Sequence, residues 1–253
     1  MSEFRTRLLE NEWEQKLFDR LLVRFLESGY IKKRGQQRTD STIVLGAVRD
    51  LNRLEMVGET MRHALDSLAV VAPDWLLVHI QPAWVDLYGS RVQNYRLPTS
   101  QEKRDALADQ MGADGLFLLN AIWDPATPVW LREVPAIWTL HTVWIQNFTW
   151  AAEDHLRWRQ NDELPPASLA IRTPFDVDVR FSTKRQTSWI GYKVHLTETC
   201  DEQLPRLITE VKTTLAPIAD GRMTTPIHEA LQAKDLLPTD HLVDTDIWTQ
   251  NCW

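Results

Sequence analysis

Cysteine is scarce in this chain of 253 residues. Only Cys200 and Cys252 occur, too few for a disulfide framework or a four-ligand zinc site, and they fit a reducing compartment. No apolar run approaches membrane-spanning length, and the start, Met1-Ser2-Glu3-Phe4-Arg5, lacks a secretory h-region. The expectation is a cytoplasmic protein with no membrane partner. Positive charge is also short: the formal net charge is −7, so any nucleic-acid contact has to come from local basic patches. Phosphate-cradling glycine loops, a nucleophile elbow, zinc spacing and a dinucleotide fingerprint are all missing, which removes the commoner enzyme classes.

What is present is ordinary in bulk. Hydrophobic residues make up 43% and charged residues 25%, enough for one large domain or two small ones with a packed core. Twelve tryptophans supply large apolar anchors, and most fall between Trp75 and Trp158. Buried anchors of a helical subdomain are the plainer reading, an aromatic platform for unstacked bases the sharper one.

Along the chain, Phe4, Leu8, Leu9, Trp13, Leu17, Leu21, Leu22 and Phe25 form a helical stripe that Ser28-Gly29 ends. A basic connector, Tyr30 to Arg38, leads to a short extended piece through Asp40. From about Val44 the apolar spacing predicts a helix that Pro73 closes. Glu59 and His63 stand one turn apart in it, and with no third ligand in view they read as a solvated face. Helix-like pieces continue over 74–160, and 161–175 reads as a boundary loop. Thr187 to Cys200 then alternates, with Lys193, His195 and Thr197 on one side and Tyr192, Val194 and Leu196 on the other. Ile208 to Leu215 completes a hairpin, with His195 expected to pack or hydrogen-bond within the sheet. A helix starts at Thr224-Thr225-Pro226, and His241-Leu242-Val243 is a strand ending on Asp244.

Read alone, Asp40 ahead of Ser41-Thr42 and an apolar run suggests a helix N-cap. Asp244 changes that weighting. Parallel strands joined by a right-handed crossover place such acidic ends side by side, where hard divalent cations take oxygen ligands.

Four stretches carry a resemblance: Gln37-Arg38-Thr39-Asp40-Ser41-Thr42, Leu51-Asn52-Arg53-Leu54-Glu55 to Met61-Arg62-His63-Ala64-Leu65, Gly191 to Thr199, and His241-Leu242-Val243-Asp244-Thr245. In order and spacing, from about residue 2 to residue 245, they resemble bacterial insertion-sequence transposases of the DDE type. The resemblance implies an α/β, RNase H-like catalytic core over 36–253, incomplete, with a large helical insertion at about 46–165 after the first strand. Residues 1–35 would be the remnant of an N-terminal helical region. It also implies Mg²⁺ or Mn²⁺ held by Asp40 and Asp244, and cleavage and strand transfer on double-stranded DNA at element ends. Lys184, Arg185 and Lys193 are candidate phosphate contacts, a solvated strand-and-loop face being the competing reading.

Two departures qualify this. The resemblance implies that the chain opens near the end of the family's upstream helical region, at Ser2-Glu3-Phe4-Arg5, and that the family's third acidic ligand, a glutamate on a later helix, is missing. The codons for Asp246 to Trp253, read one base out of step, can encode the family's Gly-Tyr continuation, so the expectation is a one-base deletion near codon 245 and a chain inactive by itself. A remnant that binds full-length transposase or DNA and interferes is the alternative.

Overall fold

The computed structural model describes residues 13–152, 155–184 and 186–243. Asp244, Arg185 and the stretch 244–253 with its expected frameshift lie outside the described residues. The fold is mixed α/β and has two units, one built from the chain up to Val44 and from Tyr192 on, the other from Leu45–Gly191.

In the first unit, helix α1 (Trp13–Glu27) ends where Gly29 adopts φ 75°, the left-handed conformation that a glycine takes without a Cβ penalty. The Tyr30 N–H donates to the Phe25 carbonyl at 2.9 Å and the Gly29 N–H to Leu26 at 3.1 Å, closing the helix in a Schellman motif. Leu22 of α1 joins Ile31, Ile227, Leu231 and Leu236 in a small core. Strand β1 (Gln36–Leu45) pairs in parallel with the last described strand, Asp240–Val243, from Gln36↔Asp240 to Thr39↔Val243.

The second unit is mainly helical: α2 (Arg53–Val71), α3 (Pro73–His79), α4 (Pro82–Tyr88), α5 (Gln101–Trp123) and α6 (Pro135–Asn147). A β2–β3 hairpin (Phe148–Ala152 and His155–Trp158) follows, then β4 (Arg180–Lys184). Strand β5 (Thr187–Thr199) pairs antiparallel with β4 over Thr187–Gly191, and from Tyr192 on with β6 (Ile208–Leu215) of the first unit. Helix α7 (Thr224–Ala233) and β7 (Asp240–Val243) complete the described chain, and β5, β1 and β7 are successive neighbours in the sheet.

Several local expectations change. The segment after Asp40 is not helical: β1 runs on to Leu45, and α2 starts only at Arg53, where Asn52 and Glu55 cap each other's backbone N–H groups. A short apolar run fits either period, and ladder pairing decided it as strand. The β2–β3 hairpin replaces the helix expected across 148–158. At Thr224-Thr225-Pro226 the sequence leads one to expect a threonine cap with Pro226 as the first helical residue, but α7 begins at Thr224 with Met223 as its cap.

The Glu59 and His63 pair is not a solvated face. Glu59 is 3% exposed, accepts from the Val92 N–H at 2.6 Å and pairs with Arg62 at 2.9 Å, while His63 packs edge-on against Phe175. Glu55, equally buried, accepts from the Asn94 N–H at 2.6 Å and from Arg49 at 2.7 Å. Two charged acceptors on one helix face thus pin the loop after α4, each with enough donors to offset its desolvation.

Candidate functional site

Alternation along β1 decides what Asp40 faces. Gln37 and Thr39 are buried and Ser41 half-buried, while Arg38 and Asp40 are exposed on the other side. On the inner side the polar groups satisfy one another. The Gln37 amide donates to the Leu236 carbonyl at 2.8 Å and accepts from the Thr209 hydroxyl at 2.6 Å. The Thr39 hydroxyl lies 2.6 Å from Thr197 Oγ1 and 2.8 Å from His241 Nε2, and His241 Nδ1 lies 2.7 Å from His228 Nε2. This chain of contacts ties β5, β1, β7 and α7 together beneath the pair of parallel strands.

Beside it, Lys193 donates to Asp220 Oδ1 at 2.6 Å and to the Ile218 carbonyl, and the Ser41 hydroxyl donates to Asp220 Oδ2 at 3.1 Å. With Ser41 held inward, its neighbour Asp40 is held outward. The Asp40 carboxylate accepts from the Ser41 N–H at 2.7 Å through Oδ1 and edges a depression of about 470 Å³ lined also by Arg38, Leu196, Glu198 and Val243. Arg38 and Glu198 form an ion pair there, so the cation nearest Asp40 in sequence is already neutralised. Among the described residues no group of three His, Cys, Asp or Glu side chains is arranged to hold a metal ion.

The expected site residues therefore separate. Asp40 is an exposed strand residue and not a helix cap. Asp244 lies outside the described residues; the last described pair of the parallel register is Thr39↔Val243, and Asp40 and Asp244 are the residues that follow these two in the sequence. Lys193 is not a surface cation: it is 7% exposed, with its charge spent on Asp220. Lys184, half-buried, closes β4 opposite Thr187. Arg185 is outside the described residues. His195, 1% exposed, does pack in the sheet, with Nε2 3.3 Å from Thr214 Oγ1. Asp220, His228 and His241 were not singled out in sequence. An isolated acid in a loop and two histidines 13 positions apart carry no periodic signal, although the buried Lys193 on an alternating strand demands an acid somewhere.

One pH dependence follows from this network. Burial, and then the neighbouring His228, push the His241 imidazole down from its usual range to about 4. Between pH 6.5 and 4 the unfolded chain therefore takes up a proton that the folded one refuses, so stability falls as the pH drops through that window and is flat above it. The full shift would be worth roughly 3 kcal/mol, but partial exposure of the ring reduces the expected loss to about 1–2 kcal/mol. Urea denaturation at pH 7.5 and pH 4.5 measures it. His241→Asn should remove most of that slope, and an unchanged slope in the variant would remove His241 as its source.

No family model, no curated protein and no solved structure matches this chain.

Proposed function

We propose that the sheet of the first unit is the RNase H-like core of a DDE-type transposase, interrupted after its first strand by the helical unit. Its metal edge would be formed by Asp40 and Asp244. The observation that carries this reading is the parallel register of β1 and β7, whose last described pair, Thr39↔Val243, immediately precedes Asp40 and Asp244 in the sequence. The donor chemistry fits a hard divalent cation. Asp40 is exposed, and one of its two carboxylate oxygens makes no hydrogen bond among the described residues. A bound Mg²⁺ or Mn²⁺ supplies Lewis-acid activation of a DNA phosphodiester. The chain's own part is positional: Thr39, Thr197 and His241 fix the two strands against each other, and the Arg38–Glu198 pair keeps the Arg38 charge off the carboxylate.

Two carboxylates hold Mg²⁺ weakly and rely on substrate phosphates for the rest of the shell. The expected result is Mn²⁺ binding on the order of millimolar, seen by electron paramagnetic resonance, lost in Asp40→Ala, with no strand transfer by the chain alone. Equal Mn²⁺ binding by wild type and Asp40→Ala would sink the assignment of Asp40. Strand transfer on terminal-repeat DNA, abolished by the same substitution, would show instead that two carboxylates suffice.

A second reading rests on a different observation. Ile208, Val211 and Leu242 on the sheet are 42%, 43% and 60% exposed, an apolar surface suited to a protein partner such as full-length transposase. In that case mixing with an intact transposase yields a stable complex whether or not Asp40 is present.

A further inference from the structure

The helical unit contains a cavity of about 490 Å³ at which α5, α6 and the β2–β3 hairpin meet. Its walls are aromatic: Trp123, Trp144, Phe148 and Trp150, with His141 and Arg159 also at the lining. Trp144 and Phe148 are structural, 4% and 3% exposed, and form the floor. Trp123 and Trp150 are different, 42% and 57% exposed, so two indole rings on separate elements face solvent around one concavity. Leaving so much indole surface in water forgoes burial that the same rings would gain in a core.

Among the described residues that line the cavity there is an arginine, Arg159, and no carboxylate. The Arg159 Nε donates to the Ile145 carbonyl at 3.2 Å, which tethers the guanidinium to the end of α6, and its terminal nitrogens have no partner among the described residues. Arg53, stacked 3.7 Å over the Trp158 ring, spends all its bonds on neutral acceptors: the Asn147 side chain and carbonyl and the Arg159 carbonyl. Among the described residues neither arginine forms an ion pair with a carboxylate, although the charge of Arg159 is felt at Glu163; burial, and then the charge on Arg159, lowers the affinity of Arg53 for its proton, to about 10. The Arg159 guanidinium, which forms no ion pair among the described residues, beside two partly exposed indole rings is a binding surface for a ring that carries a negative charge.

We infer that this cavity binds a planar aromatic ring bearing an anionic group, with the ring against Trp123 and Trp150 and the anion at Arg159. This does not depend on the function proposed above. The chemistry is shared by small aromatic carboxylates and by nucleotides, and the choice of probe separates them.

Isothermal titration calorimetry on the full chain would use indole-3-acetate, thymidine 5′-monophosphate, neutral indole-3-ethanol and non-aromatic cyclohexaneacetate. One or both aromatic anions should bind at least about tenfold more tightly than either control. Preference between indole-3-acetate and the nucleotide identifies the source. Arg159→Gln should bring the preferred anion down to the level of indole-3-ethanol, while Arg159→Lys keeps part of the difference. Trp150→Ala, at an exposed strand position, should weaken binding by about tenfold with an unchanged thermal midpoint. Indole-3-ethanol binding as tightly as the anions, or no probe binding at all, overturns the proposal. The wild-type series decides it even if a variant fails to fold.

Discussion

Asp220→Ala is expected to destabilise the first unit by about 3–5 kcal/mol, among the largest losses that one side chain can cause here. The reason is Lys193. Its ammonium is buried, its side chain 8% exposed, and its partners are the Asp220 carboxylate at 2.6 Å and the Ile218 carbonyl. Removing the carboxylate leaves a buried charge with a single neutral acceptor, and breaking such a pair costs far more than the pair contributes when intact. Ser41 loses its acceptor in the same step. The effect should not come from the lost carboxylate as such. A double variant, Lys193→Met with Asp220→Leu, deletes both charges and replaces them with apolar volume, and should lie within about 1.5 kcal/mol of wild type. Urea denaturation of the two variants gives the comparison, provided the slope with denaturant stays constant. If the double variant is as unstable as Asp220→Ala, the loss lies in packing or in the Ser41 bond rather than in stranded charge. The same bond gives the variant a second readout: Ser41 released from Asp220 loosens the stretch of β1 that presents Asp40, so the Mn²⁺ binding proposed for Asp40 should weaken as well.

How far the sequence discloses this arrangement depends on the residue type. The alternation from Trp189 to Thr199 makes β5 legible, because period two leaves no helical alternative over so many residues. It does not disclose which side is inward. The polar side is the more buried one: Lys193, His195, Thr197 and Thr199 are 7%, 1%, 0% and 2% exposed, while Tyr192, Val194 and Leu196 are half-buried. That inversion is stable because each inward polar group meets a partner from another element, such as Thr39 with Thr197 or Asp220 with Lys193. Those partners lie 158 and 27 positions apart in the chain, distances at which no local pattern operates. Asp40 was legible as a candidate from its neighbours in sequence, yet its exposure is a product of Ser41 being held inward. The aromatic cavity was legible only as an excess of tryptophan. Spacing does not distinguish Trp144, sealed against α5, from Trp150, open on a hairpin that the helical reading of that stretch concealed.

Gly115→Ala carries the other large effect, and its sign is informative. On helix propensity alone the change should stabilise α5 by about 1 kcal/mol, since alanine restricts the unfolded backbone more than glycine does. The packing predicts the opposite. A Cβ at Gly115 would stand 2.1 Å from both Cε2 and Cζ2 of Trp144, and one at Gly112 would stand 2.6 Å from Phe148 Cε1. These two glycines, a turn apart on α5, form the notch in which the α6 indole and the first ring of β2 are seated. Trp144 has little freedom to withdraw: it is 4% exposed, its ring centroid is 5.4 Å from that of Phe148, and its Nε1 donates to the Gly112 carbonyl at 3.0 Å. A methyl group must therefore displace a rigid ring, break that hydrogen bond and open the floor of the aromatic cavity. The expected net loss is about 3 kcal/mol or more, overpacking and a stranded buried donor outweighing propensity. Thermal unfolding followed by near-ultraviolet circular dichroism reports both stability and the indole environment. Trp144→Leu in the same chain removes the obstructing ring, so Gly115→Ala should cost much less in that background than in wild type. Equal costs in the two backgrounds would mean that the notch does not hold Trp144, and a stabilised Gly115→Ala would mean that α5 and α6 sit further apart than these distances require.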